Sequence, residues 1–365
     1  MVYMGYIWKH VLILMTLIMC VGFIFVWYVY ANKETQRISV VIPKEIKLQN
    51  DLEIGGRAFN KGSVSILSFG DMMLDRAVRR RMNENGLEYP FESIKDFLKD
   101  GNDIVVANAE GPFTHFESKT VGILENGPLE FTFATNTIPV LKKLGFTLLS
   151  QANNHSINFG REGLEESGRS INEAGIDWFG DPSNNGDSSY STTINGIKIA
   201  FVGFHEFAGQ GFSATLGVVK KHKDAGAFVV VYPHWGNEYE PLFTSSQQEM
   251  AHAFINAGAD VVIGAHPHVI EPIEIYKNKA IFYSLGNFIF DQSWSKATSE
   301  GLAVKITLSN EKVGYTLYPL SILKSQTLLM NEEDKLRIFT TLKESAVPDD
   351  VAFESLDRGV FELVR

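Results

Sequence analysis

The chain has 365 residues, 45% of them hydrophobic, and carries a formal charge of -10 with a pI near 5.5. That length allows one large domain or two ordinary ones, with ample apolar material for a core. The acidic balance argues against non-specific binding to nucleic acid or anionic lipid, which needs a net basic surface, so an anionic ligand would require a local basic patch.

In chain order, the first element is an uncharged, mostly apolar run at 11–30, long enough to cross a hydrocarbon core of about 30 Å. It ends in the aromatic residues Trp27, Tyr28 and Tyr30 and lacks a small-residue cleavage site, which favours a retained signal anchor over a cleaved peptide. Cys20 is preceded by the bulky Met19 and the apolar run continues past it, against lipoprotein processing. As the sole cysteine it also leaves no disulfide framework. The expectation is a single-pass protein of the cell membrane: a short cytoplasmic N-terminus at 1–10, the anchor docked in the lipid bilayer at 11–30, and the bulk outside. Lys9, Lys33 and Arg37 give no charge bias for that orientation. Residues 31–62 are polar and end near Gly55-Gly56, as in a stalk.

The domain is expected at 63–325. Strand-like runs fall at 64–69, 104–107, 147–150, 197–204, 228–232, 261–263 and 281–285, and helix candidates at 94–98, 138–144, 163–174 and 247–257. Hairpins are expected at Asn195-Gly196 and at 277–279, and a last strand pair at 302–308 and 313–320. The class is therefore α/β with mixed sheets. Beyond Ser325 a helix is expected at 332–345, followed by a tail with no assignment.

Six polar signatures interrupt this pattern where apolar runs end. They contain Asp71, Glu110, Asn154 with His155, His234, His266 with His268, and Asn287. Carboxylates, a carboxamide and imidazoles make the ligand mix of a divalent metal site. Asp71 and Glu110 follow strands directly, where α/β proteins gather ligands. In His266-Pro267-His268 the proline biases His266 towards an extended backbone, so both imidazoles would project to one side. His155 would be free to act as an acid or to stabilise an oxyanion. Asn108, Asn287 and Asp291 are expected to orient the ligands through hydrogen bonds. If the segment after Asp71 is helical, Arg76, Arg79 and Arg80 share a face and could hold an anionic substrate. Lys220, Lys221 and Lys223 form a second basic patch. Neither a nucleophile elbow nor a Walker loop is present.

From about Val64 to Leu320 these ordered motifs resemble bacterial capsule-synthesis proteins of the CapA/PgsA type, associated with poly-γ-glutamate, whose domain is similar to calcineurin-like metallophosphatases. The resemblance implies an α/β/β/α sandwich of two mixed sheets. It implies metal ligation by Asp71, Glu110, Asn154, His234, His266 and His268, one or two ions of Mn, Fe or Zn, and His155 as the catalytic imidazole. It implies as partners an anionic polymer such as poly-γ-glutamate and membrane-embedded synthase subunits. The chain departs from the phosphatase pattern at Met73, where a ligating His is usual, and at Glu110, where a shorter Asp is usual. Three roles follow: a metal-dependent hydrolase of phosphoester or amide bonds in capsule assembly, export or release; a non-catalytic subunit that binds polymer in the same cleft; or a general surface phosphoesterase.

Overall fold

The computed structural model describes residues 62–121, 129–347 and 356–365. The expected anchor and the stalk up to residue 61 lie outside them, and among the described residues no helix is long and apolar enough to cross a membrane. All described residues belong to one compact unit, Ala58–Arg365.

Among them, one nine-stranded sheet runs β16 (Gln326–Leu329), β15 (Lys312–Leu323), β14 (Glu300–Leu308), β1 (Val64–Met72), β2 (Ile104–Ala109), β5 (Leu148–Ser150) and β6 (Asp177–Phe179). Two further strands join it, β13 (Asn287–Ile289) on β1 and β17 (Val360–Val364) on β15. A six-stranded sheet runs β11 (Ile273–Tyr276), β12 (Lys279–Phe282), β10 (Val261–Ile263), β9 (Phe228–His234), β8 (Ile197–His205) and β7 (Tyr190–Ile194). A short ribbon pairs β3 (Phe113–Thr114) with β4 (Phe133–Ala134). Strands β1, β2, β5 and β6 are parallel, as are β8, β9, β10 and β12, while antiparallel hairpins flank both groups, so each sheet is mixed.

Alternation of side chains decides the layering. On β9, Phe228, Val230 and Tyr232 point into a core shared with Val64 and Ile66 of β1, while Val229 and Val231 point to the opposite face. On β1, Leu67 and Phe69 face outward from the shared core. The hydroxyl of the buried Tyr232 donates to the carbonyl of Phe69 and ties the two sheets together. Outside the first sheet pack α1 (Arg76–Asn85), α2 (Lys95–Leu98), α3 (Ile138–Lys143) and α4 (Gly160–Glu173), through Val78, Met82, Leu98, Leu141 and Ile171. Outside the second pack α5 (Phe212–Asp224) and α6 (Ser245–Ala257), through Val219, Ala251 and Phe254. The result is an α/β sandwich with two sheets at its centre. Helix α7 (Glu332–Ser345) and β17 add Ile338, Phe339, Phe361 and Leu363 to the inter-sheet core.

The expected run at 281–285 ends as a strand at Phe282. There the chain folds so tightly over Gly264 that a Cβ on this glycine would lie 1.9 Å from the Tyr283 carbonyl oxygen. The same carbonyl accepts from Trp235 Nε1 at 2.8 Å. Just beyond, Glu271 is 1% exposed, receives one hydrogen bond from Gln247 Nε2 at 2.8 Å, and leaves Oε1 without a donor. Burial pushes its carboxyl up to about 8 from 4.5. A raised folded pKa contributes stability that is complete below the unfolded pKa and is lost as pH rises through the folded one. Glu271→Gln should therefore melt in denaturant near the wild-type midpoint at pH 4.5 and be more stable by on the order of 5 kcal/mol at pH 9. Equal pH slopes between those limits would contradict it.

Candidate metal centre

The signatures meet because parallel strands end on one edge. Asp71 of β1 stands in register with Asn108 of β2 and with Asn287 of β13. His234 closes β9, and the segments after β2, β5 and β10 bring Glu110, Asn154 with His155, and His266 with His268 to the same edge. This is where open parallel sheets bind ligands.

Asp71 is fully buried; its Oδ1 accepts from Asn108 Nδ2 at 2.8 Å and its Oδ2 from the His266 amide at 3.0 Å. His268 Nδ1 lies 3.0 Å from Asn287 Oδ1 and 3.4 Å from Asp71 Oδ2, while its Nε2 lies 3.6 Å from Glu110 Oε1. His155 Nε2 approaches that same Glu110 oxygen at 3.8 Å. Asp71, Glu110 and His268 thus offer ligand atoms within 4.8 Å of one another. Glu110 is 1% exposed, and neither carboxylate oxygen has a hydrogen-bond partner. A buried carboxylate with no donors costs several kcal/mol unless a cation or a proton neutralises it. The residues present therefore fit a cation.

The other half of the cluster is built on His234. Its Nε2 lies 2.9 Å from Asn154 Oδ1 and 3.1 Å from His266 Nδ1, and its Nδ1 faces Asn108 Nδ2 at 3.3 Å. Two ligands about 2.1 Å from one ion and roughly 90 to 110° apart are separated by about 3.0 to 3.4 Å, so this spacing suits convergence on one ion. These groups could hold a metal ion.

Asparagines fix the orientations. Asn287 Nδ2 donates to Gln292 Oε1 and to the Thr298 carbonyl, both at 2.9 Å, which turns its Oδ1 towards His268. Asn153, next to Asn154 in the same signature, is fully buried: its Nδ2 donates to Asn108 Oδ1 at 3.0 Å and its Oδ1 accepts from the amides of His155 and Ser156. His155 Nδ1 lies 3.0 Å from Asn158 Oδ1, and its ring packs 4.3 Å from Phe131.

The His-Pro-His backbone differs from the extended one expected. His266 has φ 100° and His268 φ 58°, both in the left-handed region. The contacts of the His266 amide with Asp71 and of the Pro267 carbonyl with the Tyr239 amide at 2.8 Å fix this turn, and the two rings still sit 6.0 Å apart. Such strain persists where surrounding structure over-determines it, commonly at functional sites.

The arginines have separate partners. Arg76 lies 3.2 Å from Asp291 and over the Phe131 ring at 6.0 Å, whereas Arg79 pairs with the buried Asp75 at 3.5 Å and donates to the Thr132 carbonyl at 2.8 Å. Arg80 is half-buried on α1. Lys220, Lys221 and Lys223 pair with Asp224, Asp187 and Asp260. Sequence reasoning passed over Glu238, whose exposed carboxylate lies within 4.8 Å of ligand atoms of His266 and His268. Its place in the His234 signature was the available signal.

Electrostatics follow from burial. Desolvation, with the charge of Asp71 added, pushes the Glu110 carboxyl well above its usual range, against the pull of His268. Burial alone would lower His268, but the carboxylates of Glu110 and Asp71 more than reverse it, to about 9. Burial keeps His234 and His266 neutral, the latter lowered to about 3, and lowers His155 to about 4.

Residues 65–292 match the family described as bacterial capsule synthesis protein PGA_cap. The chain belongs to this CapA/PgsA-type family. All the cluster residues from Asp71 to His268, and Asn287, fall inside the matched span. The chain is 29% identical over 371 residues to the PGA biosynthesis protein CapA of Bacillus subtilis (strain 168), covering 96% of this chain and 90% of that one. It is 31% identical over 294 residues to the capsule biosynthesis protein CapA of Bacillus anthracis, covering 75% and 71%. A probable polyglutamine synthesis accessory protein of Mycobacterium tuberculosis (strain CDC 1551 / Oshkosh) is 25% identical over 191 residues, covering 45% and 50%.

Proposed function

We propose that this CapA-family chain works at the outer face of the cell membrane in the assembly, export or release of a poly-γ-glutamate capsule. In this reading its cleft is a metallophosphatase-like centre that hydrolyses a phosphoester or amide bond. The capsule role is supported by the names of its relatives, and the metal-dependent role by the buried, donorless carboxylate of Glu110 set between His155, His268 and Asp71. The segment at 11–30 would hold the domain beside membrane-embedded synthase subunits.

One or two ions of Mn, Fe or Zn would be held by Asp71, Glu110, Asn154, His234, His266 and His268, and when bound would supply Lewis-acid polarisation and activation of water. The chain's own groups do the rest. Asn108 and Asn287 fix Asp71 and His268. His155, neutral and with Nδ1 beside Asn158, has Nε2 3.8 Å from Glu110 Oε1, where it would take a proton from the attacking water and return it to the leaving group. Arg76, flanking Phe131 beside His155, places a guanidinium near an anionic substrate.

Met73 favours a second reading, a non-catalytic polymer-binding subunit. It is fully buried in the apolar layer outside the first sheet, with its Sδ accepting from the Asp75 amide at 3.0 Å, and supplies no imidazole. Complementation of a deletion strain tests both readings by the amount and length of capsule polymer. Wild type should restore capsule and the double variant His266→Ala/His268→Ala should fail, while His155→Ala fails only where turnover is required. Full restoration by the double variant would overturn the metal-dependent role.

A further inference from the structure

The loop after β9 ends the His234 signature and carries Glu238 over the two imidazoles of the His-Pro-His turn. Its exposure alone would make it an ordinary surface acid. Its neighbours are held from several sides. Trp235 is fully buried and anchored through Nε1 to the Tyr283 carbonyl. The Gly236 amide donates to Glu206 Oε2 at 2.8 Å, and Gly236 has φ 83°, with the Gln247 side chain 2.6 Å from where a Cβ would stand. On the other side, the Tyr239 amide donates to the Pro267 carbonyl at 2.8 Å, its ring stacks on His268 at 5.9 Å, and its hydroxyl accepts from Gln292 Nε2 at 3.3 Å. Tyr239 adopts φ 66°, a third strained residue beside His266 and His268. Glu238 is thus bracketed by pinned residues and kept within 4.8 Å of ligand atoms on both histidines.

A second observation points to a cation beside it, on the other side of His268. His268 belongs to both candidate ligand groups, and the buried group it shares with Asp71 contains the donorless Glu110. Three protein ligands leave coordination positions of an Mn, Fe or Zn ion open. We propose that Glu238 is a metal ligand, the exposed and exchangeable one, which would add its carboxylate to the imidazoles of His266 and His268 as a third ligand group. The inference rests on the metal-dependent reading above and adds a ligand to it. An exposed carboxylate can bind the ion and leave again at little desolvation cost, so the same group closes the site and yields its place to an incoming anionic oxygen.

Calorimetric titration of the full-length chain in detergent with Mn²⁺ alone tests it, with Glu238→Gln compared against wild type and against Glu240→Gln, an exposed neighbour. Glu238→Gln should bind Mn²⁺ at least about tenfold more weakly with an unchanged melting temperature in the metal-free state, and Glu240→Gln within about twofold of wild type. Wild-type affinity in Glu238→Gln would overturn the assignment, as would equal weakening in Glu240→Gln, which would reduce the effect to general acidity. Binding by wild type and by Glu238→Gln alike sinks only the role of Glu238, whereas absence of binding by wild type sinks the metal-dependent reading with it.

Discussion

Glu110→Gln should lower the affinity of the chain for a divalent cation by at least about a hundredfold, or about 2.7 kcal/mol. Glu110 is the carboxylate that His155 and His268 both approach, and, buried beside Asp71, it has no hydrogen-bond donor for either of its own oxygens. Its removal deletes the negative charge that most needs a cation. The consequence is visible in stability. A cation at about one hundred times its Kd stabilises the folded state by about 2.7 kcal/mol, which for a domain of this size raises Tm by about 5 °C. Chelation should therefore lower the Tm of wild type by that amount and leave Glu110→Gln unmoved. Without metal the variant should be at least as stable as wild type, because the group it removes is buried without a partner. A variant that keeps both wild-type affinity and the chelation response would contradict the assignment.

His155→Ala should cut turnover by about 10² to 10⁴-fold, the range for removal of a positioned proton-transfer group, while metal content stays near that of wild type. The two effects separate because His155 Nε2 stands 3.8 Å from Glu110 but Nδ1 is engaged by Asn158, so the ring is held by protein contacts. The measurement is hydrolysis of aryl phosphate esters and of γ-linked glutamate oligomers, run beside elemental analysis of the same samples. Turnover equal to wild type on every substrate that wild type cleaves would refute the role of His155.

Much of this architecture is legible in the sequence because parallel strands of a buried sheet are short apolar runs closed by polar turns. The run at 261–263 and the helix at 332–345 fall where the pattern puts them, and Asn195-Gly196, with φ 51° and 81°, makes the expected two-residue hairpin. The face each strand turns to its partner sheet is not legible, since β9 is apolar on both sides. Helix α5 is hidden by Gly217 and by a weakly segregated apolar face, and β17 by its length and by the alternation that buries only Phe361 and Leu363.

In the site, strand ends announce which segments meet, but not the backbone they adopt. The local preference of a residue before proline gives way at His266 to hydrogen bonds made with Asp71, 195 residues away in sequence. Arg76 likewise finds Asp291 across the fold. Glu238 escapes notice because, although it stands in the His234 signature, an exposed acid reads as a surface residue until the turn beneath it is known.

The central claim is that the cluster around Glu110 holds a metal. Elemental analysis of the purified full-length chain, wild type beside Glu110→Gln, measures it directly. One or two ions of Mn, Fe or Zn per wild-type chain, lost in the variant, is the result predicted. A wild-type chain that takes up none of these ions even after incubation with each would contradict it.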